Sequence, residues 1–212
     1  MSHNPNTRLE FFCDGIFAIA ITLLVIEIKV PHAEHIHSPA DLWHELARLW
    51  PSYFAFLFSF GAVLVSWINH NSFFSMIHKS SRQFYYSNGF FMLSIAFLPF
   101  PTAVLAEYIG TPYAGPAISF YCLFSVLGSI AWHVLYYSAR YPQNLFDESF
   151  NDFSKDTRGL HMGLLIYLFT FILSIWFPYI ALLINLLLWF LWIGISLTEP
   201  LSKSTETPKQ AD

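Results

Sequence analysis

From Leu160 to Leu197 the chain runs 38 residues without Asp, Glu, Lys or Arg. A helix crosses the hydrocarbon core of a bilayer with about 20 mostly apolar residues. The stretch is therefore too long for one span and too apolar for a water-exposed surface. Pro178 is its one break, which predicts a helical hairpin turning at Trp176-Phe177-Pro178-Tyr179.

Four more apolar segments precede it, giving spans at about 8–29, 50–69, 84–106, 115–137, 160–177 and 179–197. Pro31 stops the first, and Pro51 suits the first turn of the second. Pro99 and Pro101 predict a kink or an early end near Leu98 in the third. The fold class is thus an all-α membrane protein of six spans over residues 1–198, with a polar tail at 199–212. The opening MSHNPNTRLEFFCDG lacks the basic start and cleavage site of a signal peptide, so the first segment is expected to stay as a span.

Composition agrees. Charged residues make up 11% of the chain, against about 25% in soluble domains. A net charge of -4 leaves no footprint for nucleic acid. Cys13 and Cys122 both lie in apolar segments and build neither a disulfide framework nor a zinc site. No cofactor is expected.

Lys and Arg set the orientation. With the N-terminus cytoplasmic, eight of the ten fall inside: Arg8, Lys79, Arg82, Arg140, Lys155, Arg158, Lys203 and Lys209. Only Lys29 and Arg48 fall outside. Both termini are expected in the cytoplasm, with the protein multi-pass in the cell membrane. The outer segment 32–48 is polar, with a short helix from Asp41, and 140–158 is a mixed-charge inner loop.

The first span, RLEFFCDGIFAIAITLLVIEI, carries the information. At 100° per residue Phe12, Gly15, Ile16, Ile19, Thr22, Leu23 and Ile26 share one face, and Asp14 lies roughly opposite Ile19. A charge within a span is costly and marks either function or a paired structural site. Asp14 either faces headgroups near the helix end or joins a buried polar network with other spans. Candidate partners are Arg8, Arg82, Asn69, His70 and Trp67. Arg8 and Asp14, six apart, do not meet on one helix.

Arg8-x-x-x-Phe12-Cys13-Asp14-Gly15 resembles the opening motif of the bacterial relatives of transmembrane protein 175, the lysosomal-type potassium channel family. Trp67-Ile68-Asn69-His70 resembles that family's Trp-x-x-His stretch. The chain departs from the pattern at Cys13, where the family usually has Ser, and at Asn69, where a second His is common. A thiol donates more weakly than a hydroxyl, so a looser network is expected. The structural motif network implied is Arg8, Phe12, Cys13, Asp14, Trp67, Asn69 and His70.

The resemblance implies a homotetramer whose four first helices line a pore, with the constriction at Ile19, Thr22, Leu23 and Ile26. Stacked aliphatic and hydroxyl rings block ions by dewetting when narrow. When wide, they offer only the Thr22 hydroxyls to potassium or another monovalent cation. Modest potassium selectivity follows. Glu27 stands at the mouth, either concentrating cations or simply hydrated.

Plainer readings stand beside these. Thr22 can bond the carbonyl of Ala18, and the isoleucines can simply face lipid. The loop His32-Ala33-Glu34-His35-Ile36-His37, with His44 and Glu45 beyond, matches no closed zinc motif. His133 and Glu107, near span ends, are expected among headgroups or loops. A proton-coupled transporter or a proton-conducting channel is the alternative function, but no three-plus-three repeat supports a transporter. No metal or nucleophile constellation supports an enzyme.

Overall fold

A computed structural model describes residues 5–146 and 153–198. The polar tail at 199–212 lies outside the described residues. The described chain is helical almost throughout, in the order α1 (Thr7–Leu24), α2 (Pro39–Arg48), α3 (Trp50–Ser75), α4 (Arg82–Phe97), α5 (Pro99–Tyr108), α6 (Ala114–Arg140), α7 (Phe153–Ser174) and α8 (Pro178–Thr198).

Five helical stretches are long and apolar enough to cross a membrane, α4 and α5 counting together as one of 27 residues. Pro178–Gly194 is a shorter apolar helix. Several ends differ from the sequence expectation. α1 stops at Leu24 and tightens into a 3-10 turn, Val25–Glu27, rather than continuing to Lys29. α3 runs on to Ser75, because nothing between Asn69 and Ser75 breaks a helix. Its 26 residues extend about 39 Å, more than the roughly 30 Å hydrocarbon core requires.

Local chemistry sets the remaining boundaries. Ser38 caps α2 by accepting from the Asp41 N–H at 3.2 Å, while the Asp41 carboxylate accepts from the His37 N–H at 3.0 Å. These contacts satisfy donors the first helical turn leaves open. Ser81 caps α4 in the same way through the Phe84 N–H. The break between α4 and α5 falls at Leu98, where Pro99 and Pro101 each lack an amide proton. The Leu98 carbonyl there accepts from both the Thr102 N–H, at 3.2 Å, and the Thr102 hydroxyl, at 2.8 Å.

Two apolar clusters hold the helices together. Around the end where α1 begins, Cys13 and Phe17 pack with Phe74, Phe84, Phe91 and Leu135. Around the other end, Ala55 and Phe58 pack with Leu105, Ile118, Cys122 and Ala181. In this second cluster α8 approaches α3 closely. A Cβ on Gly61 would sit 2.5 Å from Trp189, whose ring stacks on Phe58 at 4.5 Å.

The second cluster also contains a chain of hydroxyls. Thr102 Oγ1 lies 2.6 Å from Ser59 Oγ, and Ser59 Oγ lies 3.0 Å from the Tyr121 hydroxyl. Side chains from α3, α5 and α6 thereby satisfy one another, as polar groups in a dry interior must.

Candidate functional site

The sequence of α1 divides it into two faces of opposite character. Cys13, Phe17, Ala20 and Leu24 are buried against the rest of the subunit, recurring every three or four residues. The opposite face is bare. Ile19 is 60% exposed and Ile26 68%, and Gly15, Thr22 and Leu23 are exposed between and beside them. The bare stripe is uncharged from Gly15 to Ile26 and carries a single hydroxyl.

That hydroxyl, Thr22 Oγ1, donates to the carbonyl of Ile19 at 2.9 Å, rather than to that of Ala18. Its proton is thereby directed at the helix backbone, and the oxygen lone pairs remain for another partner. Ile26 lies in the 3-10 turn. The tighter winding turns it further around the axis than an α-helical residue would be.

Behind the stripe, two hydrogen-bonded contacts fix α1 to its neighbours. In the first, the Trp67 indole on α3 donates to Asp14 Oδ1 at 2.9 Å. Asp14 itself remains exposed on the isolated subunit, so this tie is not the buried network that the sequence suggested as one reading.

The second contact is buried. Asn88, on α4, donates through Nδ2 to Cys13 Sγ at 3.0 Å, and its Oδ1 lies 2.9 Å from His70 Nε2. An amide oxygen only accepts, so His70 carries its proton on Nε2. Aromatic rings enclose that imidazole: Phe74 at 4.2 Å, Phe17 at 5.5 Å and Phe91 at 5.8 Å. Cys13 acts here as an acceptor, so the weak donor strength of a thiol does not bear on this bond.

The sequence-derived site residues are thus only partly brought together. Asp14 meets Trp67, and Cys13 and His70 meet through Asn88. Arg8 and Phe12 are exposed, the latter at 59%, and Arg8 makes no ion pair among the described residues. Asn69 is half-buried and turns to a cavity inside the subunit. Glu27 is half-buried at the end of the stripe.

Asn88 has no signature in the sequence; only its place in an otherwise aromatic segment marks it. His133 is a correction. It is buried rather than among headgroups, with Nδ1 2.8 Å from the Ser129 carbonyl and Nε2 3.3 Å from His161 Nδ1. The Tyr137 hydroxyl lies 3.1 Å from the other nitrogen of His161. The reason is topological: α7 packs along α6 and covers that ring.

Comparison with known proteins agrees with this architecture. Residues 8–99, which contain all of α1 but its first residue, the Trp67–Asp14 tie and Asn88, match the family model for the endosomal/lysosomal potassium channel TMEM175. A potassium channel of Chamaesiphon minutus is 41% identical over 169 residues, covering 79% of this chain and 83% of that protein. A potassium channel of Streptomyces collinus is 39% identical over 145 residues, 68% of this chain and 69% of that one. The crystal structure of a lysosomal potassium-selective channel TMEM175 homolog from Chamaesiphon minutus superposes with a TM-score of 0.80 at 35% identity. It covers 92% of this chain and 99% of that one. With its two-faced first helix, anchored from behind by Trp67 and Asn88, this chain belongs to the TMEM175 channel family.

Proposed function

We propose that the chain is the subunit of a potassium-permeable, modestly selective cation channel. Four copies assemble with their α1 helices around a common axis. The observation that carries the proposal is the bare stripe of α1. An uncharged stripe of Gly15, Ile19, Thr22 and Ile26, set opposite an anchored face, suits a helix that meets its own copies across a narrow bore.

In that assembly Ile19 and Ile26, with Leu23 at the edge, form aliphatic rings that dewet when the helices are close. The Thr22 hydroxyls lie between them. Each has given its proton to the Ile19 carbonyl and presents oxygen to a partly dehydrated cation. Four hydroxyls coordinate more weakly than stacked carbonyl rings, so selectivity is modest. Glu27 at the end of the stripe adds negative charge at the mouth.

The apolar helix beginning at Pro178 serves as the sixth span, which returns the chain to the side on which it began. The distribution of Lys and Arg supports cytoplasmic termini in the cell membrane.

The test is flux from liposomes containing the purified protein. Fast, electrogenic potassium flux that needs no proton gradient is the expected result. Slow flux that saturates and requires a proton gradient overturns the channel reading in favour of a transporter. The mass of the detergent-solubilised protein tests the shared pore separately: a tetramer is expected, and a monomer excludes it.

A further inference from the structure

Apart from α1, the subunit has a partly open cavity of about 380 Å³ between α3, α4, α6, α7 and α8. The volume is within the range of small-molecule sites. Along α6 it extends from Tyr121 to Tyr136, about 22 Å of helix at 1.5 Å per residue. The cavity is therefore long and narrow, with room for one hydrocarbon chain.

Its walls combine two chemistries. Phe73, Phe91, Trp132, Trp189 and Trp192 supply aromatic surface. Ser66, Asn69, Ser72 and Ser129 supply polar side chains. None of these four polar side chains has a hydrogen-bond partner among the described residues, although Ser66, Asn69, Ser72 and Ser129 are all at least half-buried. Their oxygen and nitrogen atoms face the cavity with hydrogen-bonding capacity to spare, so an occupant there can hydrogen-bond to the row.

Charge narrows the class of occupant. No lining residue is Asp, Glu, Lys, Arg or His. An ion placed there would lose its hydration and find no counter-charge. We propose that the cavity is a binding site for an uncharged single-chain amphiphile. Its hydrocarbon lies along the aromatic wall, and its hydroxyl or ester oxygen engages the Asn69 and serine row.

The site also touches the anchor of α1. Phe91 and Trp132 line the cavity and are ring neighbours of His70, at 5.8 and 6.3 Å. An occupant therefore leans on the residues that hold the first helix.

The glycines supply the test. Gly128 and Gly159 line the cavity, and a Cβ built on either meets nothing within 4 Å. Gly128→Leu and Gly159→Leu thus fill the space without a clash at the new Cβ. The probe is 1-decanol brominated at its far end, titrated onto the full-length protein in lipid nanodiscs, with quenching of tryptophan fluorescence as the readout. Trp132, Trp189 and Trp192 face the cavity.

Saturable quenching is expected, weakened about tenfold or more in both leucine variants. The matching brominated decanoate, which brings a charge, is expected to bind about tenfold more weakly as well. Should one variant fail to elute as the wild-type assembly, the other carries the comparison. Quenching that rises without saturation and is unchanged in the folded variants overturns the proposal, leaving a chamber that holds water only. Decanoate binding as tightly as decanol overturns the assignment to an uncharged ligand.

Discussion

The Trp67 indole nitrogen and Asp14 Oδ1 lie 2.9 Å apart, joining α3 to the back of α1 about two turns inside its start. An indole can only donate and a carboxylate only accept, so the pair has a single polarity. Trp67→Phe keeps an aromatic ring, though a smaller one, and removes the bond. The expected loss is about 1–2 kcal/mol, read as a lower midpoint of thermal unfolding by size-exclusion chromatography. Asp14→Asn retains an acceptor oxygen and is expected to lose less. An equal loss in both variants would show that charge rather than the hydrogen bond matters.

Asn88 is the second anchor, and its replacement tests the buried contact alone. Asn88→Leu fills similar space but leaves His70 without its partner inside an aromatic cage. The expected cost is about 2 kcal/mol, the usual penalty for an orphaned buried donor. Cys13→Ser supplies a stronger acceptor to the same Asn88 amide and is expected to be neutral or stabilising. A destabilising Cys13→Ser together with a neutral Asn88→Leu would dismiss the anchor.

At the proposed pore, Ile19→Ala and Ile26→Ala each shorten a side chain that the isolated subunit leaves bare. Conductance in planar bilayers is expected to rise by roughly twofold or more, because a wider, less apolar ring wets more readily. Unaltered conductance in both removes these residues from the pore.

Thr22→Val tests the hydroxyl ring with nearly the same shape. The assembly is expected to persist and the potassium preference over sodium to fall, as measured by the reversal potential under bi-ionic conditions. An unchanged reversal potential means the hydroxyls do not select.

Gly61→Ala addresses the contact between α3 and α8. The added carbon would sit 2.5 Å from Trp189, and the stack on Phe58 prevents that ring from swinging away. A loss of about 1–3 kcal/mol is expected from overpacking. Trp189→Leu in the same chain is expected to recover part of it, a recovery that a purely local helix effect would not show.

Much of the fold is legible in the sequence. Hydropathy and prolines placed the apolar helices, because a bilayer demands length and Pro withholds a donor. The break at Leu98 and the two faces of α1 followed from the same arithmetic. Asn88 was not legible, since its role depends on α1, α3 and α4 meeting at one depth, and Cys13 lies 75 residues away from it in sequence. The burial of His133 is illegible for the same reason: its partner His161 belongs to another helix, 28 residues on. Periodicity reports which face of a helix is apolar, not which neighbour will cover it.

The hydroxyl chain of Thr102, Ser59 and Tyr121 has a bearing on how substitutions combine. Where two prolines interrupt the backbone ladder, α5 is tied to its neighbours partly by side chains that carry only one proton each. Losing Ser59, the middle member, takes from the Tyr121 hydroxyl its partner in a dry interior. The three positions are therefore expected to be non-additive: removing a second hydroxyl costs less once the first is gone.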